Sequence, residues 1–499
     1  MVKFHLRRLG NHSLIYGLGG IFNRYLSYLL LPVFTLYLTP ADYGIVSMLG
    51  LITFIATPIF SLGFTAAIAP PYFEGNNQRQ KEATIWTALT VLLASVSAWT
   101  VVGTIFAPQI SWITFQTSKY DDLVTITLFS IGISILYTPF RLYLQFEERA
   151  KLFIAITAVS SLAILGLDVI MVVILEKGIK GLITGQLIGQ IITLALFALV
   201  SIHRLKFRLS QHVGKDLLRL GLPLMPSFAF LFLLLEGNKY VVQWLQGLEP
   251  LGIYTVGFNL GSAIKLVTSG IQRAWLPFFM SFIDKKEEAG VLFGRVFTYY
   301  VLGIGTLNVV FYIFARPVVM MLTQSTFHSA YQIVGLSASA FFLSGVYVIL
   351  LPGMYFAKEP QVQTAIQAVA ALLALGLNFW LVPLFGLLGA GLALALGMFA
   401  LTLLTFAWNF LRRQKYLTVQ YEWQRIFRFS LIYIFFVIVT LWERTLPLLD
   451  EILFSGGMLI LLLSLSYFLL NDNEKKFIGL NAKRLFHRVS LRTPLKVKG

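Results

Sequence analysis

The run Leu152–Leu175 reads LFIAITAVSSLAILGLDVIMVVIL. Its one charged residue is Asp168. Apolar residues succeed one another continuously, without the alternation of a barrel strand. About 20 apolar residues in helical form cross the hydrocarbon core of a bilayer. A helix also satisfies its backbone groups internally, which hydrocarbon demands. The run is therefore read as a membrane-crossing helix. About fourteen such segments line the chain, at 12–38, 44–69, 83–107, 123–143, 152–175, 181–202, 222–245, 251–282, 291–315, 332–356, 363–384, 386–411, 427–446 and 452–470.

Composition agrees. Of 499 residues, 57% are hydrophobic and only 12% charged, whereas a soluble protein carries about a quarter charged residues. The net charge of +17 would suggest nucleic acid on a soluble chain. Here it is read as the basic excess of cytoplasmic loops, with no RNA-binding or zinc-finger motif beside it. Cysteine is absent, which excludes disulfides and thiolate metal sites. The first apolar run is too long for a signal-peptide core and reads as a retained helix.

Charge sets the expected orientation. With the N-terminus in the cytoplasm, about 29 Lys and Arg fall inside and about 5 outside. The inside set includes Arg79, Lys81, Arg141, Arg149, Lys206, Arg208, Lys215, Arg219, Lys285, Lys358, Arg412 and the basic tail. Lys119, Lys177, Lys180, Arg316 and Arg444 remain outside. Both termini are expected in the cytoplasm, and the expected location is the cytoplasmic membrane.

An internal repeat organises the chain. Thr39-Pro40-Ala41-Asp42-Tyr43-Gly44 returns as Glu249-Pro250-Leu251-Gly252-Ile253-Tyr254. Gly178-Ile179-Lys180-Gly181 returns as Gly386-Leu387-Leu388-Gly389, and Pro139, Tyr143, Glu147 as Pro352, Tyr355, Glu359. The offsets are all roughly 208 to 213 residues. Six helices repeat, so the halves have parallel topology, and transporters often bind substrate between such halves. The expected domains are an N-terminal lobe at 1–205, a cytoplasmic linker at 206–221, a C-terminal lobe at 222–414, two additional helices at 415–470 and a basic tail at 471–499. The fold class is thus an all-α polytopic membrane protein, with two pseudo-symmetric six-helix lobes plus two C-terminal helices.

Ionisable groups at membrane depth are costly and point to function. They are Arg24, Asp168, Glu236, Lys239, Lys265, Arg273 and Arg295. Gly17, Gly20, Arg24 and Ser27 give the first helix a small polar face. Asn259, Ser262, Lys265, Ser269 and Arg273 make a stripe on the eighth, with its two cations roughly 12 Å apart. Glu236, Lys239 and Gln243 share one side of the seventh. Plainer readings stand beside these: Glu236 and Lys239 can neutralise each other, Arg295 can snorkel to the interface, and Asp168 can serve helix packing. The excess of cations over acids would be offset by an anionic substrate. Asn23, Asn259, Gln243 and Ser262 add neutral hydrogen-bonding groups to these faces.

Catalytic and metal signatures are missing. The six histidines are scattered, and no HExxH or Walker A pattern occurs. No catalytic residue, metal or cofactor is expected.

The chain resembles the polysaccharide-transporter branch of the multidrug/oligosaccharidyl-lipid/polysaccharide exporter superfamily, the Wzx-type oligosaccharide flippases. The resemblance rests on residues 38–44, Glu236-Gly237-Asn238-Lys239-Tyr240, Leu251-Gly252-Ile253-Tyr254, Ala274-Trp275-Leu276-Pro277 and Gly386-Leu387-Leu388-Gly389-Ala390. It implies two lobes around a cavity that opens alternately inward and outward. It implies a polyprenyl-diphosphate-linked oligosaccharide as substrate, passed to a polysaccharide polymerase or other assembly proteins. By position and chemistry, Arg24, Lys265 and Arg273 match the cationic cavity of similar flippases. Lys239, Asn23, Asn259 and Gln243 join them as expected substrate contacts, and Glu236 and Asp168 as expected ion-coupling groups. Many relatives carry an Asp-Arg-Tyr-like triplet where this chain has Asn238-Lys239-Tyr240. A multidrug-type exporter, a flippase for the peptidoglycan lipid precursor and a membrane enzyme are the alternatives. Few cavity acids argue against the first, and short external loops against the last.

Overall fold

In the computed structural model of the protein the described residues are 30–74, 77–223, 229–412, 417–441, 446–472 and 474–475. Helix dominates throughout, and no strand occurs among them. Ten helices there are long and apolar enough to cross a membrane. The chain is an all-α polytopic membrane protein.

The expected segments reduce to ten for identifiable reasons. Most of 12–38 lies outside the described residues, as does part of 222–245. The run 251–282 divides into Leu248–Gly261, a 3-10 turn at Ser262–Ile264, and Lys265–Met280. Runs 363–384 and 386–411 join as Pro360–Arg412, across a single non-helical residue, Gly386 (φ 59°, ψ −133°).

The chain forms two compact units. The first comprises Met1–Leu266, Val319–Ala340 and Gln361–Leu401. Its tightest feature is the pairing of Pro40–Ser61 with Leu248–Gly261. A methyl placed on Gly44 would overlap the Leu248 carbonyl, and one on Gly252 would overlap the Pro40 carbonyl. The contact is reciprocal, at the offset of roughly 208 that relates the two sequences. Only hydrogen at the α-carbon lets the backbones approach so closely. Thr39 fixes the start of the first helix by a capping box: Thr39 Oγ1 accepts from the Asp42 amide at 3.2 Å, and Asp42 Oδ2 accepts from the Thr39 amide at 2.9 Å. Tyr43 meets Phe327 edge-on, with ring centroids 5.2 Å apart.

Backbone breaks recur at the same offset. Gly178 and Gly386 both take left-handed φ, 55° and 59°. Gly181 and Gly389 then press against main-chain carbonyls of the preceding helix, at Met171 and Leu381. Helix Gln78–Ile105 stops at Phe106 and restarts as Ala107–Phe115; helix Lys286–Ile313 stops at Phe314 and restarts as Ala315–Leu322. The two stopping residues have nearly the same angles, φ −94°, ψ 10° and φ −96°, ψ 3°. Pro139 and Pro352 sit in the first turn of Thr138–Phe146 and Pro352–Ala357, where proline is tolerated because its missing N–H has no intrahelical partner. Glu148 and Lys358 come after those helices with left-handed φ of 52° and 57°.

The second unit comprises Val267–Val318, Phe341–Pro360 and Thr402–Gly499. Helices Trp423–Leu441 and Leu448–Phe468 pack on Lys286–Ile313. Their shared core is Val309, Ile313, Phe436, Met458 and Leu462. The Ser455 hydroxyl donates to the Ile313 carbonyl at 2.9 Å. The extended lead-in to these helices crosses Gly290 and Gly294, where the Gln420 amide donates to the Gly290 carbonyl at 3.0 Å. Arg425 bonds Glu422 at 2.7 Å and Glu474 at 2.8 Å. Burial alone would raise the Glu474 carboxyl, but the Asn471 amide, the Tyr299 hydroxyl and Arg425 together hold it below its ordinary range. In the spans of these two helices only 11% and 22% of the residues are buried in protein, against 72% for Ser325–Ala357. Apolar surface left uncovered to that extent belongs in lipid.

Gly44→Ala or Gly252→Ala is expected to cost about 1–3 kcal/mol through overpacking. Gly50→Ala, on the same helix with open space around it, is expected to be neutral or stabilising by about 0.5–1 kcal/mol. Thermal unfolding of the detergent-solubilised variants checks this. Equal midpoints for Gly44→Ala and Gly50→Ala would show that the crossing tolerates a methyl.

Candidate substrate and ion sites

The polar residues expected at membrane depth fall into distinct environments. Arg24 and Asn23 lie outside the described residues. On Ala229–Gln246, the three-residue spacing of Glu236 and Lys239 puts both on one helix face. Lys239 Nζ sits 2.5 Å from Glu236 Oε2 and 4.6 Å from the Phe258 ring centroid. Lys239 is 8% exposed. A carboxylate and an aromatic face thus share one ammonium, and both contacts strengthen as water is excluded. Beside the pair, buried Asn238 donates from Nδ2 to the Tyr254 hydroxyl. Gln243, one turn further on, is buried, and its Oε1 accepts no hydrogen bond among the described residues.

The expected stripe on the eighth segment is interrupted. A 3-10 turn at Ser262–Ile264 follows Gly261, and just before it Gly257 and Gly261 lie against the Ala330 and Val334 carbonyls. Asn259 is exposed while Ser262 is buried and donates to the Asn259 carbonyl at 2.8 Å. Lys265 and Arg273 remain on one helix, Lys265–Met280. Lys265 is half-buried and Arg273 exposed. Arg273 folds back along its helix, Nε donating to the Ser269 carbonyl at 3.2 Å and Nη2 to the Ser269 hydroxyl at 3.3 Å. A guanidinium has five donors, so this posture leaves donors for a ligand.

Asp168 lies apart from this group. It is 4% exposed, near the end of Ala150–Val169 and just before a π-helical turn at Ile170–Ile174. Its Oδ1 faces Gly185 and accepts no hydrogen bond among the described residues. The sequence pattern did not single out its counterpart in the other half. Asn378 is 2% exposed, donates from Nδ2 to the Ala374 carbonyl at 2.8 Å, and likewise has a buried Oδ1 with no hydrogen bond among the described residues. The two are 210 residues apart, inside the 208 to 213 spread of the sequence repeat and two residues off the 208 of the paired glycines. Tyr254 and Phe258 were also missed as partners of helix seven, since no spacing rule reaches across helices. No cluster of three metal-ligating side chains occurs among the described residues.

Residues 9–283 match the polysaccharide biosynthesis protein family. The chain belongs to that family. Its fold is that of solved transporters. One is a structure described as the lipid II flippase MurJ in an inward closed conformation, with 14% identity, 91% of this chain and 99% of that chain covered, and a TM-score of 0.71. Another is a multidrug resistance MATE family transporter of the MOP superfamily in an inward-facing conformation, with 14% identity, 78% and 94% covered, and a TM-score of 0.67. A third is a MOP superfamily transporter from Pyrococcus furiosus, described as having a binding pocket of reverse polarity, with 16% identity, 81% and 94% covered, and a TM-score of 0.52. No curated protein matches the sequence.

Glu236→Gln or Lys239→Met alone leaves the partner charge poorly compensated; the loss is about 3–5 kcal/mol for a fully buried pair and is expected to be smaller here, because Glu236 is part-buried. Glu236→Gln combined with Lys239→Met is expected to be less harmful than the two single effects added. A double-mutant cycle on unfolding midpoints measures this, with an expected coupling of about 1–3 kcal/mol. Strict additivity would show that the two charges are independent.

Proposed function

We propose that the protein flips a polyprenyl-diphosphate-linked oligosaccharide from the inner to the outer leaflet of the cytoplasmic membrane, for cell-surface polysaccharide assembly. The observation that carries the proposal is a polysaccharide biosynthesis family match on a transporter fold, with two cations on one helix at Lys265 and Arg273. A diphosphate and sugars cannot enter hydrocarbon without replacement for their lost water. Arg and Lys supply charge-assisted hydrogen bonds to phosphate. In this reading Arg24, Lys265 and Arg273 meet the diphosphate, and Asn23, Asn259 and Gln243 serve the sugars. Lys239 is largely occupied by Glu236, so it contributes by holding helix seven. The protein acts as a carrier with no covalent step, its termini in the cytoplasm, its halves at 1–205 and 222–414 alternating in access, and it delivers to a polymerase.

Ion coupling falls to Asp168 before Glu236. Glu236 already has a cationic partner, whereas the Asp168 Oδ1 accepts no hydrogen bond among the described residues. A proton or small cation at Asp168 would neutralise a buried carboxyl, and its release would change the packing against Gly185. The asymmetry with Asn378 confines this exchange to one half.

The similarity to a lipid II flippase supports a second reading, in which the lipid-linked cargo is the peptidoglycan precursor. Both cargoes present a diphosphate, so the cargo must be compared directly. Reconstituted in liposomes, the protein is expected to move a readable polyprenyl-diphosphate oligosaccharide between leaflets. Arg24→Ala with Lys265→Ala and Arg273→Ala is expected to slow transfer by about tenfold or more, since each charge-assisted hydrogen bond is worth about 1.5–3 kcal/mol. Unchanged transfer in the triple variant would remove the cationic contacts. Faster movement of lipid II than of the oligosaccharide would favour the second cargo, and export of an organic cation instead would favour a drug exporter. Asp168→Asn is expected to abolish any dependence on a proton or sodium gradient while leaving cargo binding intact; a retained gradient response would exclude Asp168.

A further inference from the structure

We propose that the strap 204–222 is a docking surface for anionic phospholipid headgroups, binding the first unit to one leaflet. Its inner side is pinned. The Trp86 indole donates to the Leu205 carbonyl at 3.3 Å, Arg208 Nε bonds Glu82 at 3.2 Å, and the Ser210 amide donates to Thr87 Oγ1 at 3.0 Å. Ser210 then caps helix Gln211–Gly221. Val213, Leu217 and Gly221 recur every fourth residue and are buried. Gly221 presses against the Leu62 carbonyl. The outer side is thereby fixed rather than free to turn.

That outer side carries cations and large apolar groups together. Lys215, Arg219 and Leu222 lie on the face opposite Val213 and Leu217, and all three are exposed. Arg204 and Lys206 are exposed in the preceding strap. Phe207 and Leu209 are 66% and 54% exposed, and Leu222 47%. The one carboxylate in the stretch, Asp216, lies 3.5 Å from His212 Nδ1, and the cations outnumber it. A water-facing linker has no use for exposed Phe and Leu beside its lysines. A headgroup layer satisfies both: phosphates meet the cations while the apolar side chains enter the acyl boundary. Each cation near an anionic surface contributes about fivefold in affinity, so the choice of lipid by charge follows from the four exposed ones.

The absence of cysteine allows a clean test. Phe207→Cys and Leu222→Cys, each labelled with an environment-sensitive dye, are placed in nanodiscs of phosphatidylcholine with and without phosphatidylglycerol. The expected result is blue-shifted emission, quenched by lipids spin-labelled near the headgroup, and stronger when phosphatidylglycerol is present. Native mass spectrometry of the unlabelled protein is expected to retain phosphatidylglycerol over phosphatidylcholine. Lys206→Gln with Lys215→Gln and Arg219→Gln should reduce that preference about tenfold or more, with the unfolding midpoint unchanged. Emission typical of water in both lipids, quenched by iodide, would overturn the proposal and leave the strap to a soluble acidic partner. Lipid-like emission that ignores phosphatidylglycerol and the triple variant would overturn the role of charge.

Discussion

The approach of backbone to backbone at Gly44 and Gly252 is the constraint on which the first unit depends. In lipid, helices gain nothing by hiding apolar side chains from one another, because the tails are equally apolar. Association must come from close packing, and packing is closest where side chains are absent. Gly44 seats the Leu248 carbonyl and Gly252 seats the Pro40 carbonyl, so both helices are brought together by the same device read in both directions. Gly181 and Gly389 do the same for the helix pairs further along each half. What repeats in this protein is therefore a set of backbone contacts, and the repeated sequence is whatever permits them.

Charge obeys a different logic. Two helix-borne ions that find each other have little charge left to offer a ligand. Lys239 is held between Glu236 and the Phe258 ring, so its charge is largely neutralised within the protein. Arg273 bonds to neutral oxygens of Ser269 and keeps its full charge. In the proposed function, this difference favours Arg273 over Lys239 as a partner for a diphosphate. It also shows why a count of intramembrane charges overstates the charge a substrate would meet.

The helices were legible because hydrocarbon imposes length and continuous apolarity on each one, as in Leu152–Leu175. The repeat was legible where a turn demanded glycine or proline, as at Gly178 and Gly386, both left-handed. The restarts after Phe106 and Phe314 share Ile-Phe-Ala at 105–107 and 313–315, with Pro108 and Pro317 in the turn that follows, a match that stands out only once the two stopping angles are compared. The division of 251–282 was missed for a related reason. Spacing along one helix predicts a stripe only while the helix continues, and the helix here is interrupted at Ser262–Ile264, beside contacts of Gly257 and Gly261 with the Ala330 and Val334 carbonyls, far away in sequence. The Glu236–Lys239 pair was readable from its spacing of three, whereas its third partner, Phe258, belongs to another helix.

Asp168 and Asn378 bring these two logics together. They lie 210 residues apart, near the repeat offset, each buried, each with an Oδ1 that accepts no hydrogen bond among the described residues. Each half thus buries a polar side chain in this region, and the two differ in chemistry. Asn378 commits its amide to the Ala374 carbonyl, a bond that a carboxylate cannot donate. Asparagine is therefore a permanent neutral fixture, able to hold its helix but not to change state. Of the two, aspartate alone can exchange a proton or cation, and a π turn, a feature often found at functional sites, follows it at Ile170–Ile174. In the proposed coupling, a gradient can therefore act through Asp168 and not through Asn378. The residue fixes where the exchange takes place, and the gradient sets its direction.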